Sequence, residues 1–331
     1  MYSRFPVNGR MTRVQKADWG VAMNSTIDAL RWIKVTLGFV AVCLGGCSRP
    51  SQPTGGMPGS PGGSKPGMIQ IKGSDTVVNL GQAWAEAFSR KTGVQVAVTG
   101  GGSGTGIAAL LNGTCDIAES SRKMEPEEYE LAKKKGITPK EFVVGMDGLA
   151  VVVHPSNPVE KLTLDQLAAI FTGKVRNWKE VGGTEGEIVI LSREVNSGTH
   201  VYFKEHVLCK GKKDCSAEFA DSALLMPSSQ AIADEVAQNP RAIGYFGMGY
   251  LTDKQKAVAV AAKPEGPFFK PTVENVVSGK YPISRPLLFY TNGEPSGLVK
   301  QYIDFVLSPE GQKIVAEQDF VPVTSAKPSS G

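Results

Sequence analysis

Four short segments combine glycine, serine and threonine where a predicted strand ends, and most of them precede a predicted helix. They are residues 73–76, 102–106, 120–122 and 193–199. Backbone N–H groups at a helix start have no intrahelical partner, and the helix dipole favours negative charge there. Hydroxyl groups add donors, and Arg193 adds a fork that matches an oxyanion. Together the four turns predict a shared anion site.

The alternative for any single turn is a helix cap, because serine and threonine commonly cap helices without binding a ligand. Four such turns at one sheet edge favour the anion site. The glycine loop VTGGGSGTGIAALL, residues 98–111, lacks the lysine and spacing of a Walker A loop and does not match the dinucleotide fingerprint. Its GGGSG stretch also resembles a nucleophile elbow, but no acid–histidine pair accompanies it in the sequence. We therefore expect binding without catalysis.

The histidines and cysteines show no metal-ligand spacing, and none of the four turns contains a histidine. We expect no metal and no cofactor. Cys209 and Cys215 flank a polar KGKKD loop, which fits a disulfide hairpin in an oxidising compartment or, alternatively, two free thiols. Cys115 follows an apolar run and is expected to be a buried thiol.

The order of elements predicts an α/β fold. Strands and helices alternate as β-α-β-α-β from residue 68, which implies a parallel sheet with ligands at the carboxyl ends of its strands. The long apolar strand EFVVGMDGLAVVVHP is expected to leave the first lobe. Helices are predicted at 81–91, at 163–172 with a capping box of Thr163 and Gln166, and at 296–317.

The predicted organisation has four parts. Residues 1–46 are a signal peptide, and residues 47–67 are a lipid-modified cysteine with a Pro/Gly/Ser tether. Lobe 1 is 68–148 plus 247–325, and lobe 2 is 149–246. Two crossing segments join the lobes.

The leader also accounts for the charge. Residues 1–46 carry six basic and two acidic side chains, which equals the +4 of the whole chain. The remainder is formally neutral, so we expect no nucleic-acid partner.

The apolar run at 35–44 is too short to span a membrane, and it is followed by LGGC, the pattern of a bacterial lipobox ending at Cys47. The alternative is an ordinary signal peptide with a chance cysteine. Met23 would give a normal signal-peptide start, so we expect translation to begin there. The expected location is the cell envelope, on a lipid anchor at the periplasmic or extracytoplasmic face of the membrane.

Several motifs, taken in order, resemble the phosphate-binding proteins of bacterial phosphate ABC transporters. They are IKGSDTVVNLGQAWAEAF, VTGGGSGTGIAALLNGTCDIAESSRKM, SREVNSGTHVYF, AIGYFGMGYL and YPISRPLLFYTNGEPSG, and the resemblance covers about residues 68–323. It implies a two-lobe type II periplasmic-binding-protein fold, with a mixed, mostly parallel sheet in each lobe. It also implies a protein that closes on one phosphate and delivers it to membrane permease subunits. We expect this protein to be a monomer.

The resemblance implies a set of phosphate ligands, motif by motif. They are Ser74, Asp75, Thr76, Ser103, Gly104, Thr105, Ser121, Arg122, Arg193, Ser197, Gly198 and Thr199. Some family members carry an aspartate after the third-strand serine, where this chain has Arg122. A carboxylate there can accept the proton of phosphate, which sulfate lacks. Asp75 or Glu194 could accept this P–OH bond instead. We expect Asp75 to do so, with Glu194 holding Arg193 or Arg122.

The sequence leaves three alternatives open. The ligand could be another tetrahedral oxyanion, such as sulfate or molybdate. The same fold could serve phosphate sensing or adhesion. A phosphatase-like enzyme would need a nucleophile with a base, or a metal, which the four turns do not supply.

Overall fold

The computed structural model describes residues 67–212 and 214–323. The predicted signal peptide, Met23, Cys47 and all of the tether except Gly67 lie outside these residues. The strands are β1 Met68–Gly73, β2 Gln95–Thr99, β3 Ile117–Ser120, β4 Pro139–Val153, β5 Lys161–Thr163, β6 Val189–Arg193, β7 Leu224–Met226, β8 Ala242–Gly247, β9 Lys256–Ala257, β10 Ala259–Ala261 and β11 Ser284–Asn292. The α-helices are α1 Val78–Thr92, α2 Ser103–Leu111, α3 Pro126–Lys134, α4 Leu164–Phe171, α5 Gly198–Phe203, α6 Ser229–Gln238, α7 Val273–Val277, α8 Gly297–Leu307 and α9 Pro309–Glu317.

The main sheet has the order β2-β1-β3-β11-β4-β8-β6-β7, and β9 pairs with β4. Strands β1, β2 and β3 run parallel, as do β6, β7 and β8. Strands β11 and β4 are antiparallel to their neighbours. We call β1, β2, β3 and β11 the first half of the sheet, and β6, β7 and β8 the second half. The mixed, mostly parallel α/β fold predicted from the sequence is confirmed.

Strand β4 connects the two halves. Its residues 139–148 pair with β11, and its residues 149–153 pair with β8. The last five residues are fully buried, as expected for a strand covered on both faces. The apolar run that predicts one long strand is therefore observed as β4.

The helices largely follow their sequence signals. The Thr163 hydroxyl accepts the Gln166 N–H at 3.1 Å, and the Gln166 side chain accepts the Thr163 N–H at 2.9 Å, which forms the predicted capping box. The helix predicted over 296–317 is wrong as a single element. It divides into α8 and α9 at Ser308, because Pro309 lacks an N–H and opens a new helix.

Strand β9 pairs with β4, and strand β10 pairs with β5. The partners of β9 lie in the part of β4 that runs beside the second half. The predicted boundary at residue 247 assigns these strands to the first lobe, and this boundary stays a prediction. The chain rejoins the first half at β11. Short strands such as these carry too little pattern to reveal their partners.

One continuous hydrophobic core joins the two halves. In the first half, Trp84 packs edge-on against Phe289 at 5.6 Å between ring centroids. In the second half, Phe203 stacks on Tyr245 at 3.9 Å. These contacts hold the strand ends, and hence the turns, in place.

The cysteines of the described region have two states. Cys209 and Cys215 form a disulfide with 5.5 Å between their Cα atoms. Cys115 is a free, buried thiol, and burial raises its pKa to about 12, so it is a poor nucleophile. None of the helices in residues 67–212 and 214–323 is long and apolar enough to cross a membrane.

Candidate anion-binding site

The first turn follows β1 and is almost fully buried. The Ser74 hydroxyl accepts the Thr76 N–H at 3.2 Å, which fixes the turn as it enters α1. The Asp75 carboxylate accepts the Gly101 N–H at 2.9 Å, so the turn is tied to the glycine loop after β2. Ser74 and Thr76 are only 2% and 1% exposed. The first turn thus offers shielded hydrogen-bonding groups.

The glycine loop leads directly into α2. Gly102 has φ of +95°, a conformation that favours glycine, and Ser103 is the first helical residue. The Ser103 hydroxyl accepts the Ser121 N–H at 3.0 Å and lies 3.4 Å from the Ser121 hydroxyl. The second and third turns therefore bring their serines into contact.

Arg122, in the third turn, is directed to helix α3. Its two terminal nitrogens contact the Glu128 carboxylate at 2.7 and 2.8 Å, and one of them also donates to the Lys123 carbonyl at 2.9 Å. A direct contact between Arg122 and an anion stays a prediction. The expectation that Glu194 holds Arg193 or Arg122 is wrong, because these arginines pair with Asp75 and Glu128.

Arg193 ends β6 in the second half and is 1% exposed. Its guanidinium contacts Asp75 at 2.7 Å, the Pro227 carbonyl at 2.9 Å and the Ser229 hydroxyl at 3.3 Å. The contact with Asp75 links the second half to the first turn. A buried arginine is thus held at the junction, where its side chain can pair with a bound anion.

Helix α5 begins immediately beside the serines of the first half. Ser197 caps it by accepting the Thr199 N–H at 3.2 Å. A Cβ at Gly198 would lie 2.3 Å from the Ser103 hydroxyl and 2.9 Å from the Ser121 hydroxyl. Only glycine allows this approach, so the R-x-x-x-S-G-T segment contacts the serines of the first half.

Two groups that the sequence predictions left out also hold the site together. The Asn196 carbonyl accepts the Gly104 N–H at 3.0 Å, and its amide donates to the Gly101 carbonyl at 2.9 Å and to the Thr105 hydroxyl at 3.3 Å. The Gly104 amide, a predicted anion donor, is therefore engaged with the protein in this arrangement. In the sequence, the signal that could have indicated this role of Asn196 was its position next to the capping serine, Ser197.

The second omission is a buried ion pair, Arg285 with Asp147. Both side chains are fully buried, and Arg285 also contacts the hydroxyls of Thr76 and Thr199 at 3.4 and 2.9 Å. These hydroxyls lie 2.8 Å apart. A charged residue within each of two apolar strands was the signal that could have identified the pair.

The arrangement offers many donors and little reactive chemistry. His200 donates its Nδ1 proton to the Arg193 carbonyl at 2.8 Å, and burial lowers the pKa of His200, which favours the neutral ring. Within the residues that the structure describes, no group of three or more His, Cys, Asp or Glu side chains could hold a metal ion. The donor set suits a tetrahedral oxyanion.

Comparisons with known proteins match this fold and site. A model of the PBP superfamily domain matches residues 58–310. The chain is 34% identical over 275 residues to the phosphate-binding protein PstS of Pseudomonas aeruginosa, covering 78% of this chain and 83% of that protein. It is 35% identical over 266 residues to PstS of Bacillus subtilis, covering 79% and 82%.

Solved structures agree with the sequence relatives. A phosphate ABC transporter substrate-binding protein of Clostridium perfringens, solved with phosphate bound, is 36% identical with a TM-score of 0.69, over 77% of this chain and 99% of that chain. A phosphate transport receptor of Vibrio cholerae is 32% identical with a TM-score of 0.62, over 76% and 99%. The chain belongs to the PBP superfamily and, within it, to the family of PstS phosphate-binding proteins.

Proposed function

We propose that this protein binds one inorganic phosphate between two lobes outside the cytoplasm and delivers it to the permease of an ABC transporter. One observation carries the proposal. Hydroxyls of the first half, Ser103 and Ser121, meet Gly198 of the second half at one buried point, and the charge of Arg193 lies at the same junction. The names of the relatives, phosphate-binding and phosphate-transport proteins, support the same ligand.

Titration calorimetry on the purified protein with phosphate, sulfate and molybdate tests the ligand. We expect phosphate to bind with a Kd of about 1 μM or below, near −8 kcal/mol, and sulfate to show no heat of binding. Tight sulfate or molybdate binding with weaker phosphate would reassign the ligand. No binding of any of the three would overturn the proposal.

We assign the acceptance of the phosphate proton to Asp75. Its two oxygens already accept bonds from Arg193 at 2.7 Å and Gly101 at 2.9 Å. Each carboxylate oxygen has a second acceptor site, so a P–OH donor can still be accommodated. Sulfate would place an oxygen against this carboxylate without a proton between them, which is unfavourable.

The variant Asp75→Asn tests this assignment through a ratio of affinities. The variant lowers phosphate affinity because it also weakens the contact with Arg193. We expect it to lower the phosphate-over-sulfate preference as well, by at least about tenfold. An unchanged preference, whatever the absolute affinities, would remove Asp75 from this role.

We place the lobe boundary on β4 between Gly148 and Leu149, where its partner changes from β11 to β8. Ligand contacts on both sides of this point favour the closed form, because phosphate then binds the closed state more tightly than the open one. Small-angle X-ray scattering with and without phosphate should report a smaller radius of gyration for the bound protein. An unchanged radius would contradict closure.

We further propose that the protein acts as a monomeric carrier without catalysis. Its location would be the extracytoplasmic face of the membrane, through lipid on Cys47. Support for the anchor comes from the LGGC pattern in the sequence. A Cys47→Ser variant that still fractionates with membranes would contradict the anchor. Release of phosphate from a model ester would contradict the absence of catalysis.

A further inference from the structure

Arg285 and Asp147 lie where the two halves of the sheet join. They face each other in the antiparallel pairing of β11 with β4, and Asp147 precedes by two residues the point where β4 changes partner. The Arg285 Nε donates to the Asp147 Oδ2 at 3.0 Å, and Nη2 lies 2.9 Å from the same oxygen. The other oxygen of Asp147 accepts the Met248 N–H at 2.9 Å. The guanidinium is therefore fixed at the junction.

The same guanidinium reaches one threonine from each side of the junction. Nη2 donates to Thr199 Oγ1, in α5 of the second half, at 2.9 Å and to Thr76 Oγ1, just before α1 of the first half, at 3.4 Å. The two hydroxyl oxygens are 2.8 Å apart. Both threonines are among the predicted phosphate ligands, whereas Arg285 is not.

The chemistry of these groups determines which way their protons point. An arginine has donors and no acceptor, and a hydroxyl has one proton and two acceptor sites. When Arg285 donates to the two hydroxyls, it occupies acceptor sites and leaves their protons free. One proton makes the bond between the threonines in this arrangement, and the other remains available. An incoming oxyanion can take both protons, because the hydroxyl oxygens keep Arg285 as a donor.

We propose that Arg285 is a positioning residue that orients the hydroxyls of Thr76 and Thr199 as donors to the bound oxyanion. This rests on the proposed function. When the halves approach, Arg285 donates to a hydroxyl from each half and so brings the two hydroxyls together. The ion pair with Asp147 fixes the Arg285 guanidinium in the position from which it can do this. The guanidinium carbon also lies 5.5 Å from the ring centroid of Tyr202, which limits its movement. The pair thus couples ligand binding to the approach of the two halves.

A double-mutant cycle on phosphate affinity tests the proposal. Its corners are the unmodified protein, Arg285→Lys, Thr199→Val and the combination, each titrated by calorimetry. Lysine keeps a charge beside Asp147 but loses the planar fork. We expect Arg285→Lys to weaken phosphate binding about tenfold when Thr199 is present and less than about threefold when residue 199 is valine.

The thermal midpoint of each protein separates this role from a structural one. If Arg285 has only a structural role, Arg285→Lys lowers the midpoint of thermal unfolding equally with threonine and with valine at residue 199. The phosphate affinity of the folded protein then stays unchanged. That result would overturn the proposal, as would equal losses of affinity in the two backgrounds. If Arg285→Lys does not fold, the charge-neutral combination of Arg285→Gln with Asp147→Asn takes its place in the cycle, with the same expected coupling.

The unmodified protein distinguishes this inference from the proposed function. If it binds sulfate or molybdate instead of phosphate, the cycle is run with that anion. Coupling between residues 285 and 199 would then uphold the positioning role although the ligand was assigned wrongly. If the unmodified protein binds no oxyanion, both proposals fail.

Discussion

The two halves of the sheet contribute different chemistry to the candidate site. The first half supplies hydroxyls, from Ser74, Thr76, Ser103 and Ser121, together with the Asp75 carboxylate. The arginine of its third turn is bound by Glu128. The second half supplies the buried charge of Arg193 and the N-terminal end of α5. The predicted ligands are therefore divided between the two halves and come together only where the halves meet.

This difference makes a ranking possible. Removing the charge of the second half should weaken binding most, and removing single hydroxyls of the first half should weaken it less. Substitutions that remove no ligand and do not keep the two halves apart should have the smallest effects on phosphate binding.

Arg193→Gln should reduce phosphate affinity by about 100-fold or more, because a buried charged partner contributes on the order of 2–5 kcal/mol. Calorimetry measures the loss. The control is Arg90→Gln on the exposed face of α1, where the arginine pairs with Glu86, and it should leave the affinity unchanged. A loss below tenfold for Arg193→Gln would mean that the second half does not supply the charge.

Gly198→Ala should reduce phosphate affinity by about 10- to 100-fold. Its Cβ would lie 2.3 Å from the Ser103 hydroxyl, and overpacking of this kind costs about 1–3 kcal/mol. Gly186→Ala is the matched control, because the nearest atom to its Cβ is a side-chain nitrogen 3.7 Å away. Normal affinity in Gly198→Ala would show that the halves need not approach this closely.

Ser103→Ala should reduce phosphate affinity by about tenfold, which corresponds to one hydrogen bond to a charged group. The exposed Ser222→Ala serves as the control. If Ser103→Ala lost as much affinity as Arg193→Gln, the proposed division between charge and hydroxyls would be wrong.

Arg122→Gln tests whether Arg122 is one of the phosphate ligands that the resemblance implies. Because its guanidinium is engaged with Glu128, we expect the substitution to change phosphate affinity by less than about threefold. The same change should lower the thermal midpoint, since it removes the partner of a half-buried carboxylate. A loss of affinity comparable with that of Arg193→Gln would instead identify Arg122 as a direct ligand of phosphate.

Glu119→Gln should have the smallest effect on binding and a clear effect on the pH dependence of stability. Glu119 is fully buried, and neither carboxyl oxygen has a hydrogen-bond partner among the described residues. Burial raises its pKa to about 8, from the ordinary 4.5. The unfolded state therefore loses this proton at lower pH than the folded state does, and stability falls as pH rises between these two values.

The glutamine variant cannot lose this proton, so that part of the pH dependence should disappear. Urea unfolding at pH 5, 6.5 and 8 should show the variant gaining stability over the unmodified protein as pH rises. A constant difference across this range would show that Glu119 keeps an ordinary pKa in the folded protein.

The sequence was informative where the signals are local. The turn compositions, the apolar run of β4 and the capping box of Thr163 and Gln166 each depend on a few neighbouring residues, and each is observed in the structure. The strand-then-turn pattern also placed three of the turns in the first half and one in the second. Local propensity and chain order are enough for such predictions.

The remaining features depend on contacts between distant parts of the chain. Arg285 and Asp147 are 138 residues apart in sequence, and their pairing requires the register of β11 on β4. The contact of Asn196 with the glycine loop requires the two halves to approach. The pairing of β9 and β10 likewise follows from tertiary packing. A single sequence has no local pattern that specifies these partners.

The central claim is that one phosphate contacts both halves at once, and a crystal structure of the phosphate complex tests it most directly. We expect phosphate oxygens within about 3.2 Å of the Ser103 hydroxyl, the Arg193 guanidinium and the Gly198 or Thr199 N–H groups. Phosphate bound by one half alone, or at another surface, would contradict the account.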